Sequence, residues 1–476
     1  MAARHELRVP GARAGTGVHD EVRSPYSGEV LAEVEQAGAA QLDRALTVQR
    51  ALFDDRDSWL PAHRRIEVLN KAAELMRGRR EELAEQIARE GGKPLTDALV
   101  EVDRAVNGVE LCAEEAGRIH GTEVPMGMTP ASMGRRAFVT REPIGVVAAV
   151  SAFNHPLNLI VHQAGPALAA GCPVIVKPAG PTPLSCLSFV DILHQAGLPP
   201  EWCIALPCSN EVAEQLVTSD RIGFFSFIGS ARVGWALRSK LAPGVRCALE
   251  HGGAAPLIVD EAADLDRAVP LILKGGYYHA GQVCVSVQRV FAHVAVKDEL
   301  VERLAAGVGQ LRTGDPVSPD TDVGPLIRRQ EVVRVSEWVE EAVAQGAAAA
   351  AGGRALDHQC YEPTLLTDTP ERVRAMQLEI FGPVVNVVGV TSLDEAISRA
   401  NSVPWAFQAA VFTQDVDRAM RAAERLDATA VMVNDHTAFR VDWMPFGGRG
   451  PSGLGMGGMP YAVEELTRIK MFVFNS

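Results

Sequence analysis

Aromatic side chains make up only 5% of the 476 residues. Cysteine is sparse too: eight residues, at positions 112, 172, 186, 203, 208, 247, 284 and 360, with no CxxC pair and no Cys/His cluster at zinc spacing. That pattern excludes a disulfide scaffold and a structural zinc module, and no metal site is expected. No uninterrupted apolar run is long enough to cross a bilayer; the run from Gly145 to Val150 has strand length. The first twenty or so residues lack the apolar core of a secretory signal, so a cytoplasmic location and no membrane partner are expected. Positive charge is in deficit as well. Lys plus Arg number 46 against 59 for Asp plus Glu, a net charge of −13. An acidic surface repels phosphate backbones, so nucleic acid is not an expected partner. What remains is the composition of a globular protein, 47% hydrophobic and 22% charged, with length for about three lobes.

The first 110 or so residues read as mainly helical. Ile66, Leu69, Ala73, Met76, Leu83 and Ile87 follow a helical period, Gly91-Gly92 stops it, and Asp103 to Ile119 forms a further helix. From Ile144 onward, short apolar runs alternate with helix-length segments. Ile144–Val150, Pro173–Val176, Cys203–Leu206, Phe224–Ile228 and Val245–Leu249 are expected strands. A second alternating block spans about 250 to 450, with strands expected at Pro256–Val259, Val290–Val294, Val384–Val388, Ala409–Phe412 and Ala430–Asn434. Strands this apolar belong to parallel sheets covered on both faces, whose ligands sit beyond the strands' carboxyl ends. The alanine run at 347–351 reads as a connector. Gly121–Arg141 and the last twenty residues fit neither block and read as strands of a small flap.

Three short motifs carry candidate chemistry. Gly281-Gln282-Val283-Cys284 places a thiol between a helix and a strand, where its sulfur could reach a cleft. Leu249-Glu250-His251-Gly252-Gly253 places a carboxylate at a strand end, with glycines that permit close approach of a ligand. Phe153-Asn154-His155-Pro156 places a side-chain amide at another strand end, suited to donate to an oxyanion. Each alone has a plain structural explanation: a buried apolar cysteine, a surface carboxylate, an Asn-Pro turn.

Taken in order, Asn154, Lys177, Gly229-Ser230, Glu250, Cys284 and Glu379-Ile380-Phe381-Gly382-Pro383 resemble the signature set of the NAD(P)+-dependent aldehyde dehydrogenase superfamily. Glu250 and Cys284 stand 34 residues apart, the family's spacing of base and nucleophile. The resemblance runs from about residue 22 to 474 and includes Asn401, Phe412-Thr413, Pro445-Phe446-Gly447-Gly448 and Ser452-Gly453. It implies an α/β protein with a Rossmann-like cofactor domain (1–120 and 142–249), an αβ catalytic domain (250–452) and a β oligomerisation flap (121–141 and 453–476). It also implies roles. Cys284 would attack the aldehyde carbon, Asn154 and the Cys284 backbone N–H would hold the oxyanion, and Glu250 would activate the water that hydrolyses a thioester. Lys177 would hold the adenosine ribose, Gly229 and Ser230 the pyrophosphate at a helix start, Glu379 the nicotinamide ribose, and Phe381 would pack beside the ring. A small-molecule aldehyde substrate and a homodimer or homotetramer follow from the same likeness.

The sequence also departs from the family pattern. Where members often carry a Glu three residues after Lys177, this chain has Gly180, which weakens repulsion of a 2′-phosphate and leaves NAD or NADP as the cofactor. Phe153, His155, Ala254-Ala255 and Arg449 alter the pocket wall without removing a reacting group. Phe439-Arg440-Val441-Asp442, with Phe153-Asn154-His155-Pro156, resembles the lactaldehyde and phosphonoacetaldehyde branch, so His155, Arg440 and Arg104 become candidate substrate contacts and a small polar or anionic aldehyde the expected substrate. Arg440 could instead pair with Asp442, and Arg104 could serve a structural salt bridge. Two other readings stand beside the hydrolytic one: a CoA-acylating semialdehyde dehydrogenase, which Glu250 disfavours, and a non-catalytic protein on the same fold. Gly453-Leu454-Gly455-Met456-Gly457-Gly458 matches G-x-G-x-x-G, but too little chain follows it for a dinucleotide-binding unit; it reads as a flexible turn before the terminal strand.

Overall fold

The computed structural model describes residues 3–11 and 15–475. Its first large sheet has six strands, in the order Gly453–Leu454, Arg246–Glu250, Ile222–Ile228, Val146–Val150, Val174–Lys177 and Cys203–Ala205. All pair in parallel except Gly453–Leu454, which runs antiparallel on the edge. Alternate side chains enter different cores, as the two-residue period of a strand requires. Val147, Ala149, Val174 and Val176 pack with the helices Ala62–Gly78, Leu95–Arg118 and Asn158–Ala170. Val146, Ala148, Val150 and Ile175 pack with Ala39–Asp54 and Asn210–Val217. The chain winds outward from Val146–Val150 to Cys203–Ala205, then returns to lay Ile222–Ile228 on the other side of the first strand. That reversal opens a crevice beyond the carboxyl ends of Val146–Val150 and Ile222–Ile228.

The second large sheet has seven strands, ordered Ala348–Ala351, Thr364–Thr367, Val384–Val390, Val287–His293, Ala255–Val259, Gln408–Phe412 and Ala430–Val433. It is parallel apart from its first edge strand, and one continuous core covers it. A third sheet, antiparallel, joins Thr467–Asn475 to Arg135–Pro143 and the latter to Glu123–Val124. Phe472 lies opposite Phe138 there, with ring centroids 5.2 Å apart.

Three expectations change. The N-terminal region is not helical throughout: Ala3–His5, Val30–Glu35 and His19–Arg23 form a small sheet before the first helix. The alanine run is an edge strand rather than a connector, because backbone pairing with Thr364–Thr367 supplies what its side chains do not specify. The glycine-rich stretch assigned to the flap is no flexible turn. Leu454 and Gly453 pair with Leu249 and Glu250, and Met459–Glu465 forms a helix that buries Met459 and Val463. Residues 453–465 therefore pack on the first large sheet, and only Thr467–Asn475 enters the flap sheet.

Candidate active site

All twelve residues singled out from the sequence line a single cavity of about 550 Å³. Three chain reversals bring them together. After Val146–Val150 the backbone turns through Ser151–Pro156 into the helix Asn158–Ala170, leaving Asn154 and His155 buried in the cavity wall. After Arg246–Glu250 it turns through Gly252, where a Cβ would overlap the Glu379 carboxylate. After the helix Leu265–Tyr277 three consecutive residues, His279, Ala280 and Gly281, adopt positive φ of 47°, 54° and 67°. That left-handed stretch swings Cys284 into the cavity before the strand Val287–His293 begins.

At the reacting end, burial, aided by the Glu379 and Glu250 carboxylates and opposed by Arg440, pushes the Cys284 thiol up to about 12. Burial likewise raises Glu250, against the pull of Arg440. The Asn154 amide donates to the Gln282 carbonyl at 2.9 Å, which fixes its plane and uses one of its two N–H groups. The residues present can therefore offer a nucleophile, an amide donor and a carboxylate able to hold a proton.

The far wall is a charge cluster. Arg104 grips Asp442 with two bonds, Nε to Oδ2 at 3.1 Å and Nη2 to Oδ1 at 2.6 Å. His162 Nε2 lies 2.7 Å from Asp442 Oδ1, while Arg440 Nη2 lies 3.0 Å from His162 Nδ1. One tautomer satisfies both contacts: a neutral imidazole that donates from Nε2 and accepts at Nδ1. Burial lowers His162 to about 4, in keeping with that neutral form. Arg440 sits 3.5 Å from the Phe446 ring centroid, its Nε is buried without a hydrogen-bond partner, and its nearest approach to Asp442 is 3.7 Å. Two guanidinium charges thus face one carboxylate charge, a net of about +1. Arg104 is committed to its salt bridge, whereas Arg440 retains donors. His155 makes a 3.2 Å contact with the Tyr278 hydroxyl and is held neutral by burial beside Lys93 and Arg104.

The other end suits a dinucleotide. Lys177 is 9% exposed and its ammonium has no hydrogen bond or ion pair among the described residues, while Oε1 of Glu379 is buried and unpartnered. Both are polar groups prepared for hydroxyls that the protein does not provide. Burial pushes Glu379 up to about 8. Gly229 and Ser230 precede the helix Ala231–Arg238, and nothing lies within 4 Å of a Cβ built on Gly180. Phe381 meets Phe153 edge to face, 5.9 Å between centroids.

Arg328, Glu331, Arg334 and Trp338 also line this end and escaped the sequence reading. They come from the start and first turns of Arg329–Ala344, and their i, i+3 charge pairing, Glu331 with Arg328 and Arg334, looks like any solvated helix face. His162 was missed because a histidine inside an apolar helix carries no local signal.

Residues 14–472 match the model of the aldehyde dehydrogenase family. The chain belongs to that family. As an aldehyde dehydrogenase it is an oxidoreductase that uses NAD or NADP. It is 40% identical over 471 residues to a 3-sulfolactaldehyde dehydrogenase of Priestia aryabhattai, covering 98% of each chain. Its fold matches that of aldehyde dehydrogenase 21 from Physcomitrella patens, solved in complex with the reaction product succinate, with a TM-score of 0.96 and 34% identity over 100% of this chain and 99% of that one. It likewise matches the glyceraldehyde-3-phosphate dehydrogenase GapN of Methanocaldococcus jannaschii complexed with NADP, with a TM-score of 0.92 and 32% identity over 97% and 100% of the two chains. Among the described residues no helix is long and apolar enough to cross a membrane.

Proposed function

We propose that this aldehyde dehydrogenase oxidises a short aldehyde bearing a carboxylate or sulfonate to the corresponding acid, with Cys284 as nucleophile. The observation that carries the substrate class is Arg440. Because Asp442 is taken up by Arg104 and His162, Arg440 is a buried cation with unused donors in the same cavity as the thiol. A guanidinium can hold an oxyanion by two parallel bonds. The 3-sulfolactaldehyde and succinate chemistry of the relatives fits that charge.

The chain's own groups divide the work. Cys284 gives its proton to water in the cavity as its sulfur adds to the carbonyl carbon, since burial keeps the resting thiol protonated. The Asn154 amide and the Cys284 backbone N–H receive the developing oxyanion. Lys177, Gly229, Ser230 and Glu379 hold the dinucleotide, which when bound supplies the hydride acceptor. Glu250 then takes a proton from water so that it can attack the Cys284 thioester, and the thiolate departs. A base with a raised pKa in this position supports hydrolysis over transfer to CoA. The open space at Gly180 supports acceptance of a 2′-phosphate, and Gly180→Glu is expected to penalise NADP+ selectively. The edge strand Thr467–Asn475 supports a homo-oligomer built by pairing across subunits.

The test is kcat/KM for four-carbon aldehydes of equal length, succinate semialdehyde and butanal, with either cofactor. A preference of roughly tenfold or more for the anion is expected from one charge-assisted contact. Equal values would remove the anionic assignment.

A further inference from the structure

A second, smaller chamber of about 30 Å³ adjoins Glu250. Glu250 lines both spaces. The chamber's other polar walls are Gln163, Ser226, His162 and Glu465. Glu465 in turn lines a depression open to the surface, together with Arg238 and Arg246. Glu250 and Glu465 therefore line one small space in common.

The chamber is large enough for a water molecule, for which a cavity needs roughly 10–15 Å³ and two to four polar partners. Gln163 is 3% exposed. Its Nε2 donates to Val150 O at 3.2 Å, Ser226 O at 3.1 Å and Ser226 Oγ at 3.0 Å. Two carbonyl acceptors fix the amide's orientation, and Oε1 is left buried with no partner. Among the described residues nothing donates to the Glu250 carboxylate. Gly457 makes room for that carboxylate, since a Cβ there would collide with Glu250 Oε1. Glu465 Oε1 accepts the Met456 N–H at 2.9 Å, which holds the second carboxylate in place.

We infer that this chamber holds a water linking Glu250 to Glu465, and that Glu465 is the exit by which the proton taken up by Glu250 reaches solvent. The inference rests on the reading of Glu250 as the base. Only O–H bonds change: Glu250 passes its proton to the chamber water, which passes one to Glu465, and Glu465 releases one at the surface. Glu250 returns to carboxylate, ready for the next turnover. The groups facing the pair fit such traffic. Glu250 sees Arg440 and Glu465; Glu465 sees Arg246, Glu464 and the Met456 N–H. Burial raises both carboxyls, so either can hold a proton in passing.

Rapid-mixing kinetics on Glu465→Gln, Glu465→Asp and Glu250→Gln test this, with the NAD(P)H burst and the subsequent release of acid measured at increasing imidazole concentration. Glu465→Gln is expected to keep its burst, to release acid roughly tenfold more slowly at low buffer, and to recover as imidazole carries the proton; Glu465→Asp should stay near the parent enzyme. A merely structural role would not respond to buffer. Parent-like acid release in Glu465→Gln, or a loss that imidazole does not repair, overturns the relay while slow release in Glu250→Gln leaves the base intact. Parent-like turnover in Glu250→Gln overturns the base itself. If Glu465→Gln does not fold, Gln163→Leu, which removes the unpartnered amide oxygen, should show the same buffer-repaired slowing, and its absence overturns the proposal.

Discussion

At Asp442 one carboxylate accepts from Arg104 and His162 and lies 3.7 Å from Arg440. Burial alone would raise its pKa; the His162 hydrogen bond and the two guanidinium charges outweigh burial and hold it well below the carboxylate range. A depressed folded pKa means that its stabilisation is complete above the unfolded value, about 3.9, and is lost as pH falls below it. Asp442→Asn should therefore destabilise the protein by about 3 kcal/mol at neutral pH, because it leaves buried cations without a counter-charge. Denaturant titrations should show that deficit shrinking below about pH 4; a deficit that grows on acidification would contradict the assignment. Cys284 gives a second check at this scale. With its thiol pushed up to about 12, the thiolate fraction of the cofactor-free enzyme rises about tenfold per pH unit through pH 8 to 10. Iodoacetamide modification of Cys284 should climb in step, and a plateau below pH 9 would contradict it.

Among the elements, the central strands of both large sheets were legible because they are buried on both faces: Val146–Val150 and Ala255–Val259 contain no exposed residue, and an uninterrupted apolar run is readable without context; Thr364–Thr367, equally buried, escaped because threonines bound its short apolar pair. Ala348–Ala351 was not, since four alanines have no period and the strand exists by its pairing. His19–Arg23 escaped for a related reason: its residues are mostly polar and exposed, and only Val22 is buried. The site divides the same way. Cys284, Glu250 and Asn154 sit at strand and helix boundaries within recognisable motifs. The partner of Arg440 was open from the sequence, because the choice between Arg440 and Arg104 for Asp442 depends on a helix 338 residues away in sequence. The flap strand supplies its own prediction. Thr467–Asn475 pairs on one side only and exposes Ile469, Met471, Val473 and Phe474. On the proposed assembly through this edge, the parent protein should scatter light as an oligomer and the variant with both Phe472 and Phe474 replaced by Glu as a monomer; a parent-like mass in the variant would mean that this edge does not assemble the protein.

For the whole molecule the contrast is between a chain of net charge −13 and a cavity whose far wall carries about +1. A negatively charged aldehyde gains from the local field although the overall surface opposes it, so high salt should weaken the exposed repulsion more than the buried attraction. The anion preference should accordingly persist in high salt. The most direct measurement compares Arg440→Ala with the parent enzyme on succinate semialdehyde and butanal. The account predicts that kcat/KM for the anion falls by roughly tenfold or more, mainly through KM, while butanal changes little, since loss of one buried charge-assisted pair costs about 1.5–3 kcal/mol. Equal losses on the two aldehydes, or an unchanged preference for the anion, would contradict it.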